Sequence, residues 1–323
     1  MFTNKDIEYR TIYVINGFKN RLLRVKNGEL LLEELDERKT LTKIPFQKIL
    51  ALFIIGQMQI STPLVEKCRK FNVALVVMKI SFRPVFYWSD SAEANYLIRQ
   101  KQYQLDRNDI TIAKWIVYNK IQNQLSLLQK SRRGDQLTYG AKDACHNALN
   151  GGIEHADDYN KLMGIEGHVA KYFFAAYYQD LDWECRRPRT KCDAVNATLD
   201  IGYTMLFNFI ECFARMFGFD IYAGVYHRLW FKRKSLICDL VEPFRCIIDR
   251  TVRSAYNRNQ FLRSDFRLHK GEYLLRLEKN AHYTRVFFDA LIGYKMEIFM
   301  FIRSYYRCFM QGKEISEYPK FEI

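Results

Sequence analysis

Apolar and polar positions follow two different rhythms along this chain, and the rhythm changes near residue 89. Over residues 9–88 the apolar runs are short and rich in β-branched residues. "RTIYVI" is one such run. "RLLRVKNGELLLEEL" carries Asn27-Gly28 between two apolar-rich arms, the strongest short hairpin signal in the chain. "KILALFIIG" and "NVALVVM" read as buried strands and "RPVFYW" as a further strand. "STPLVEKCRKF" opens on a Ser/Thr cap with Pro63 in its first turn, which predicts a short helix.

From residue 89 the periodicity is helical almost throughout. "SAEANYLIRQKQYQLD" and "NDITIAKWIVYNKIQNQLSLLQK" carry apolar stripes opposite charged ones. "GDQLTYGAKDACHNALNGGIEHADDY" reads as a broken helix plus loop. "DYNKLMGIEGHVAKYFFAAYYQD", "ATLDIGYTMLFNFIECFARMFGF" and "EPFRCIIDRTVRSAY" are expected helices. "KNAHYTRVFFDALIGYKMEIFMFIRSYYRCFMQG" is expected to run as one more, ending on Gly312 as its C-cap. The tail "KEISEYPKFEI" is expected to be loosely held. These patterns predict an α+β chain. A small β-rich N-terminal domain would cover residues 1–88 and a larger all-α domain residues 89–323.

Composition adds a partner class. The chain has 323 residues, 49% of them hydrophobic, enough for one large domain or two ordinary ones. Fifty Lys+Arg against 36 Asp+Glu leave a formal charge of +14, which points to a polyanion: nucleic acid or an anionic membrane surface. The charged N-terminus "MFTNKDIEYR" has no apolar core of a signal peptide. The longest apolar stretches, such as "ILALFIIG" and "YKMEIFMFI", are too short to span a bilayer. The expectation is a soluble, cytoplasmic protein that does not enter a membrane. None of the eight cysteines forms a C-x-x-C pair, which suits reduced thiols. Cys185 and Cys192 bracket a basic turn, but their spacing matches no zinc pattern.

Three stretches could carry chemistry. In "LMGIEGHVAKYFF", Glu166 lies between Gly164 and Gly167 inside a helical pattern. Two glycines around one acid suggest the close approach of a ligand or another backbone; a partly exposed glutamate on an ordinary helix is the alternative. In "CRRPRTKCDAVNATLDIGYTML", Arg186, Arg187, Arg189 and Lys191 crowd a turn ahead of a long helix that Asp193 can cap, with Asn196 in its first turn. Guanidinium forks and a helix start suit phosphate oxygens; a solvated basic loop is the alternative. In "HRLWFKRKSLICDLVEPFR", His227 is followed by Arg228, Lys232, Arg233 and Lys234. Asp239 and Glu242 come next, spaced to share one face at the start of a helix that Pro243 opens. Acids at a helix start are also favoured by its dipole alone. Only the set of Glu166, His227, Glu242 and Asp239 has weight together. Carboxylates with one imidazole suit Mg²⁺ or Mn²⁺, which can polarise a phosphodiester and activate a hydroxyl.

"MGIEGHVAKYFF", "RRPRTKCDAVNATLDIGYTML", "GVYHR" and "SLICDLVEPFR", in that order, resemble the motifs of the CRISPR-associated spacer integrases, the Cas one family. The resemblance covers most of the chain. It implies that Glu166, His227 and Glu242 bind a divalent ion, with Asp239 a second active-site acid. Asn196 and Tyr203 would lie near the site and Arg245 would support the acids. Arg186, Arg187, Arg189, Lys191, Lys232, Arg233, Lys234 and Arg245 would meet DNA. The turn commonly written Arg-Arg-Pro-Pro is here Arg187-Pro188-Arg189, which bears on how it meets DNA. The implied activity joins the 3′-hydroxyl of a prespacer fragment to a phosphodiester at the CRISPR repeat by transesterification. The implied assembly is a homodimer formed through residues 1–88, with or without the small Cas two protein, and the implied catalytic domain is 89–323. A hydrolytic metal-dependent endonuclease and a non-catalytic basic DNA scaffold are the alternative readings.

Overall fold

Asn27 and Gly28 both adopt left-handed backbone, at φ 53° and 78°, and close the two-residue turn the sequence calls for. The turn joins β2 (Arg21–Lys26) to β3 (Glu29–Glu34), with Lys26 opposite Glu29. Before them come a short helix, α1 (Asn4–Tyr9), and β1 (Thr11–Gly17). After them comes β4 (Lys39–Pro45), a strand not foreseen because its polar alternation carries no apolar run. β2, β3 and β4 form one antiparallel sheet. The computed structural model describes residues 2–17, 20–36, 39–89, 95–131, 133–181 and 183–323.

β5 (Ile49–Gly56), α2 (Thr62–Lys70), β6 (Ala74–Met78) and β7 (Pro84–Trp88) build the second sheet, in the order β1-β5-β6-β7. β1 and β6 both run parallel to β5, and β7 is antiparallel to β6. The unbroken apolar run of β5 has a physical reason. Leu52 and Ile54 point into a core shared with the three-stranded sheet, whereas Ala51, Phe53 and Ile55 join the core of the helical region. A strand covered on both faces has no polar positions to alternate with. The Phe53 ring meets Phe288 edge-on at 4.9 Å, so the sheet is seated directly on the helices.

The helices are α3 (Tyr96–Tyr103), α4 (Thr111–Lys130), α5 (Gln136–Asn147), α6 (Tyr159–Tyr177), α7 (Ala194–Met216), α8 (Ser235–Val241) and α9 (Arg245–Asn257). The start expected for the first of these, at residue 91, lies outside the described residues. Two expectations need correction after α9. A hairpin, β8 (Phe266–His269) with β9 (Glu272–Leu275), interrupts the helices. The long terminal segment is two helices, α10 (Asn280–Gly293) and α11 (Lys295–Gln311), separated at Tyr294. Gly312 does cap the second, at φ 63°.

The tail is not loose. Tyr318 and Phe321 are buried, and Asn119 on α4 brackets the Phe321 backbone, accepting from its N–H at 2.9 Å and donating to its carbonyl at 2.8 Å. The polar composition of the tail hid two aromatic anchors. Asn119→Ala leaves the buried Phe321 N–H without its partner, while the carbonyl keeps the bond that Asn123 Nδ2 donates at 2.8 Å. It is expected to lower unfolding stability by about 1–3 kcal/mol, read by urea denaturation.

Candidate active site

Three elements bring charge to one point. Lys120 comes from the middle of α4, Glu166 from α6, and Glu242 from the single 3-10 turn Glu242–Phe244 between α8 and α9. The Lys120 ammonium bridges the two carboxylates, bonding Glu166 Oε1 and lying 2.7 Å from Glu242 Oε2. Arg245 Nε donates to Glu242 Oε2 at 2.8 Å, and the Tyr226 hydroxyl donates to Glu166 Oε2 at 2.5 Å. Burial works against both carboxylates. For Glu242 the Arg245 and Lys120 charges outweigh it and hold the acid well below its usual range. For Glu166, Lys120 and the Tyr226 hydrogen bond do the same less strongly. Lys120, itself disfavoured by burial, is held charged by the two glutamates.

Asp239 is fully buried and does not share a helix start with Glu242, as the spacing suggests. It lies inside α8, two residues before the helix ends at Val241, while Glu242 begins the turn beyond it. Its oxygens collect a run of loop amides: Val225 and Tyr226 N–H donate to Oδ2 at 2.6 and 3.1 Å, and His227 N–H to Oδ1 at 2.8 Å. Gly224 makes this possible, because a Cβ there would lie 2.8 Å from Asp239 Oδ2 and 2.7 Å from the Ser235 carbonyl carbon. His227 Nδ1 also meets Asp239 Oδ1, at 2.7 Å. A carboxylate accepts, so Nδ1 carries a proton, and in the neutral ring that leaves the lone pair on Nε2. Asp239 thus sets both the position and the tautomer of His227.

The basic turn is organised by α7. Asp193 caps that helix, accepting from Asn196 N–H at 2.6 Å. Asn196 is fully buried and ties the turn down: its Oδ1 accepts from Arg186 Nη1 at 2.8 Å and from the Arg187 amide at 3.0 Å, and its Nδ2 donates to the Cys185 carbonyl at 2.9 Å. Asp200 takes Arg186 Nη2 at 2.6 Å and the Arg189 amide at 2.9 Å. Arg186 is therefore committed to internal acids, as is Lys234, whose ammonium bonds both oxygens of buried Glu211 at 2.8 and 2.6 Å. Arg187 lies out in solvent beside Glu184. Lys191 faces Glu272 at 3.5 Å, and Lys232 and Arg233 line the groove.

Lys120, Glu166, His227, Glu242 and Arg245 line one open groove of about 2360 Å³. Small-molecule pockets run to about 1,000 Å³, so this volume suits a polymer. Twelve Lys or Arg side chains line it against five Asp or Glu. Lys79 and Arg83 reach it from the loop between β6 and β7, and Arg267 from the hairpin that the sequence reading missed. Gly167 also lines it. Contrary to the close backbone approach suggested for Gly164 and Gly167, a Cβ at either would meet nothing within 4 Å beyond its chain neighbours and the helix's own backbone. Among the described residues no three His, Cys, Asp or Glu side chains are grouped closely enough to hold a metal ion. Two carboxylates do converge on one cation, with an imidazole on the same groove wall. That donor chemistry fits Mg²⁺ or Mn²⁺, but in this arrangement an ammonium holds the shared point.

Lys120, Tyr226 and Asp249 escaped the sequence reading. Asp249 lies on α9 behind the site, accepting from the Tyr203 hydroxyl at 2.6 Å and the Tyr178 hydroxyl at 3.2 Å. The Arg245 guanidinium stands 4.7 Å from the Tyr203 ring centroid. Burial raises the Asp249 carboxyl from 3.8 to about 6, against the pull of the Tyr203 hydrogen bond. With the folded value above the unfolded one, the native state holds this proton more tightly. The group's contribution to stability is complete below about pH 4 and is lost as pH rises through about 6. Relative to Asp249→Asn, the wild type should lose about 1–3 kcal/mol between these limits. Urea unfolding of both proteins across that range tests it; a constant difference would refute it.

Residues 13–287 match the model of the family described as CRISPR associated protein Cas1. A CRISPR-associated endonuclease Cas1 from Chlorobaculum tepidum is 30% identical over 257 residues, 75% of each chain. A Cas6-RT-Cas1–Cas2 complex matches with a TM-score of 0.78 and 18% identity over 97% of this chain, which spans 36% of that longer one. A casposase bound to integration product matches with a TM-score of 0.77 and 17% identity, over 97% of this chain and 94% of that one. At such identities the two structures speak for the fold. Among the described residues no helix is long and apolar enough to cross a membrane.

Proposed function

The chain belongs to the CRISPR-associated Cas1 family of endonucleases and integrases, and from that premise we propose that it is a spacer integrase. It joins the 3′-hydroxyl of a prespacer fragment to a phosphodiester at the CRISPR repeat. The observation that carries this reading is the convergence of Glu166 and Glu242 on a single cation in the wall of a basic, polymer-sized groove. In the joining step a new P–O bond to the attacking 3′-oxygen forms as the bond to the leaving 3′-oxygen breaks; the attacking hydroxyl gives up its proton and the leaving oxygen takes one up, so protons balance. The bond count is conserved, so no covalent protein intermediate is required.

Glu166, Glu242 and His227 Nε2 would hold a divalent ion, which when bound supplies charge to polarise the phosphodiester and acidify the attacking hydroxyl. The other residues set the stage. Asp239 keeps His227 in the tautomer whose Nε2 is free. Arg245 fixes Glu242, and Tyr226 fixes Glu166. Exposed cations of the groove hold backbone phosphates on either side. The assembly we infer is a homodimer formed through residues 1–88, with a small Cas2-type partner.

The test supplies a duplex with free 3′ ends and a supercoiled plasmid carrying the repeat, with Mn²⁺ or Mg²⁺ and with or without the partner. Joined products that require the 3′-hydroxyl support integration. Nicked plasmid alone supports the hydrolytic reading, which the endonuclease name of the relative favours. The structure also ranks the cations. Lys232→Ala should weaken duplex binding and flatten its salt dependence by about one unit of slope. Arg186→Ala should chiefly loosen the turn, seen as lower thermal stability, because its charge is already spent on Asp200 and Asn196.

A further inference from the structure

Cys185 and Cys192 stand at the two ends of the basic turn, and the joining chemistry uses neither. Their setting differs from that of the other cysteines. Burial pushes the thiols of Cys68, Cys145 and Cys212 up to about 12 and raises those of Cys238, Cys246 and Cys308 as well. That keeps them out of exchange chemistry, because the thiolate is the reactive form. Cys185 is exposed and lines the groove, and Cys192 is half-buried.

The turn brings its own ends together. Stretched out, residues 185–192 would span more than about 20 Å. Instead the Asn196 carboxamide nitrogen donates to the Cys185 carbonyl at 2.9 Å and lies 3.7 Å from Cys192 Sγ. Arg187 Nε donates to Cys185 Sγ at 3.1 Å, and its guanidinium is held charged by Cys185 first and by Cys192 also. The winding is enforced. Arg189 and Lys191 both take left-handed backbone, at φ 66° and 48°, which persists in such residues only where their surroundings impose it. Inside the turn Thr190 Oγ1 donates to the Arg187 carbonyl at 2.9 Å, and the Arg189 N–H donates to Asp200 Oδ2 at 2.9 Å. Two thiols are thus gathered around one carboxamide and one guanidinium, where a short loop closes.

A disulfide at this place would be exposed and would close a strained loop, the kind of bond that is readily reduced again. In a reducing compartment such pairs act as transient sensors rather than staples. Its formation also rearranges the turn. Cys185 Sγ must leave Arg187, and Cys192 Sγ must leave Asp193 Oδ2, to which it donates at 3.3 Å. Asp193 caps α7 and Asn196 ties the turn to that helix, so the ends of the turn shift against α7. The exposed Arg187 and Arg189 shift with them.

We infer that Cys185 and Cys192 form a redox modification site, which a small disulfide such as oxidised glutathione converts to an intramolecular disulfide that loosens the basic turn's hold on DNA. The Cys185 thiolate attacks one sulfur of the small disulfide, forming a mixed disulfide and expelling one thiolate. The Cys192 thiolate then attacks Cys185 Sγ and expels the second. Two electrons pass from the cysteine pair to the small disulfide, and the two protein protons end on the two released thiols. The bond stands on the geometry of the turn; its effect on DNA rests on the reading of the groove as a DNA path.

The test incubates the full chain with oxidised glutathione, maps its cysteines by peptide mass spectrometry and titrates a duplex at several salt concentrations. The wild type should lose two hydrogens, at Cys185 and Cys192, and regain them with dithiothreitol. Cys192→Ser should stop at a glutathione adduct on Cys185, and Cys185→Ser should form no intramolecular bond. The oxidised wild type should bind the duplex more weakly, with a salt slope shallower by about one unit, whereas Cys185→Ser should bind alike before and after the oxidant. No modification, a cross-link at any other pair, or an adduct on Cys185 that never closes in the wild type would overturn the site. A Cys185–Cys192 bond that leaves affinity and slope unchanged would overturn its control of DNA binding. A reduced wild type that binds no duplex would refute the DNA reading itself, and the mass measurement would still decide the site.

Discussion

Glu166→Ala and Glu242→Ala should each reduce strand joining by about 10²–10³-fold, the scale on which losing one preorganised electrostatic group acts. Their affinity for duplex DNA should change little, since backbone grip comes from the many cations of the groove. The two variants should differ in one respect. Removing Glu166 leaves Lys120 paired with Glu242, whereas removing Glu242 strips the partner shared by the buried Lys120 and the half-buried Arg245. Glu242→Ala should therefore also melt at a lower temperature, and Glu166→Ala should not melt as low. The measurements are the plasmid-joining assay, a gel-shift titration and a thermal melt. Undiminished joining by either variant would remove these acids from the chemistry.

Lys120→Met tests the same point from the other side. It keeps the length and apolar stem of the side chain while deleting the charge between two mostly buried carboxylates. Breaking a buried pair by removing one partner costs about 3–5 kcal/mol, so the variant should be markedly less stable in chelator. If Glu166 and Glu242 accept a divalent ion, Mn²⁺ or Mg²⁺ should restore much of that loss, because an ion that binds only the folded state stabilises it by mass action. Melting curves with and without metal read this directly, independent of activity. A deficit that metal leaves untouched would assign the triad to structure alone. In the wild type the ammonium and a divalent ion compete for one position, so Lys120→Met should also bind Mn²⁺ more tightly by calorimetry.

Much of the fold and part of the site can be read from local spacing. The Asn27-Gly28 turn, the doubly buried β5, the Asp193 cap and the Gly312 terminus all depend on residues a few positions apart, and the structure contains each of them. Glu166, His227 and Glu242 line one groove, although Glu166 precedes the others by more than sixty positions. Asp239 was legible as an acid near the site. Its work of gathering three loop amides was not, because nothing in "GVYHR" announces that its backbone folds back onto α8.

Lys120 shows most clearly where local reading ends. Its neighbours Asn119, Asn123 and Gln124 make that stretch of α4 look like an ordinary solvated stripe, yet all four are buried. The stripe is covered by the terminal tail, by α6 and by the turn at Glu242, segments that approach α4 only in the folded chain.

The sequence by itself determined most of the strands and helices, the turn at Asn27-Gly28, the cap at Gly312, the excess of positive charge and the identities of the acids, since those follow from residues within a turn or two of one another. Only the tertiary structure decided that β1, β5 and β6 run parallel between two cores. It alone decided that the apparently loose tail is an anchor, and that Arg186 and Lys234 are paired with Asp200 and Glu211 in the groove wall while Lys232 and Arg233 reach the groove from an exposed turn. It alone decided that an ammonium sits between the two glutamates. The reason is that a charge has no fixed role until its surroundings are known. The same lysine costs little in water, and once desolvated must find carboxylates, which only the packing of distant segments can bring to it.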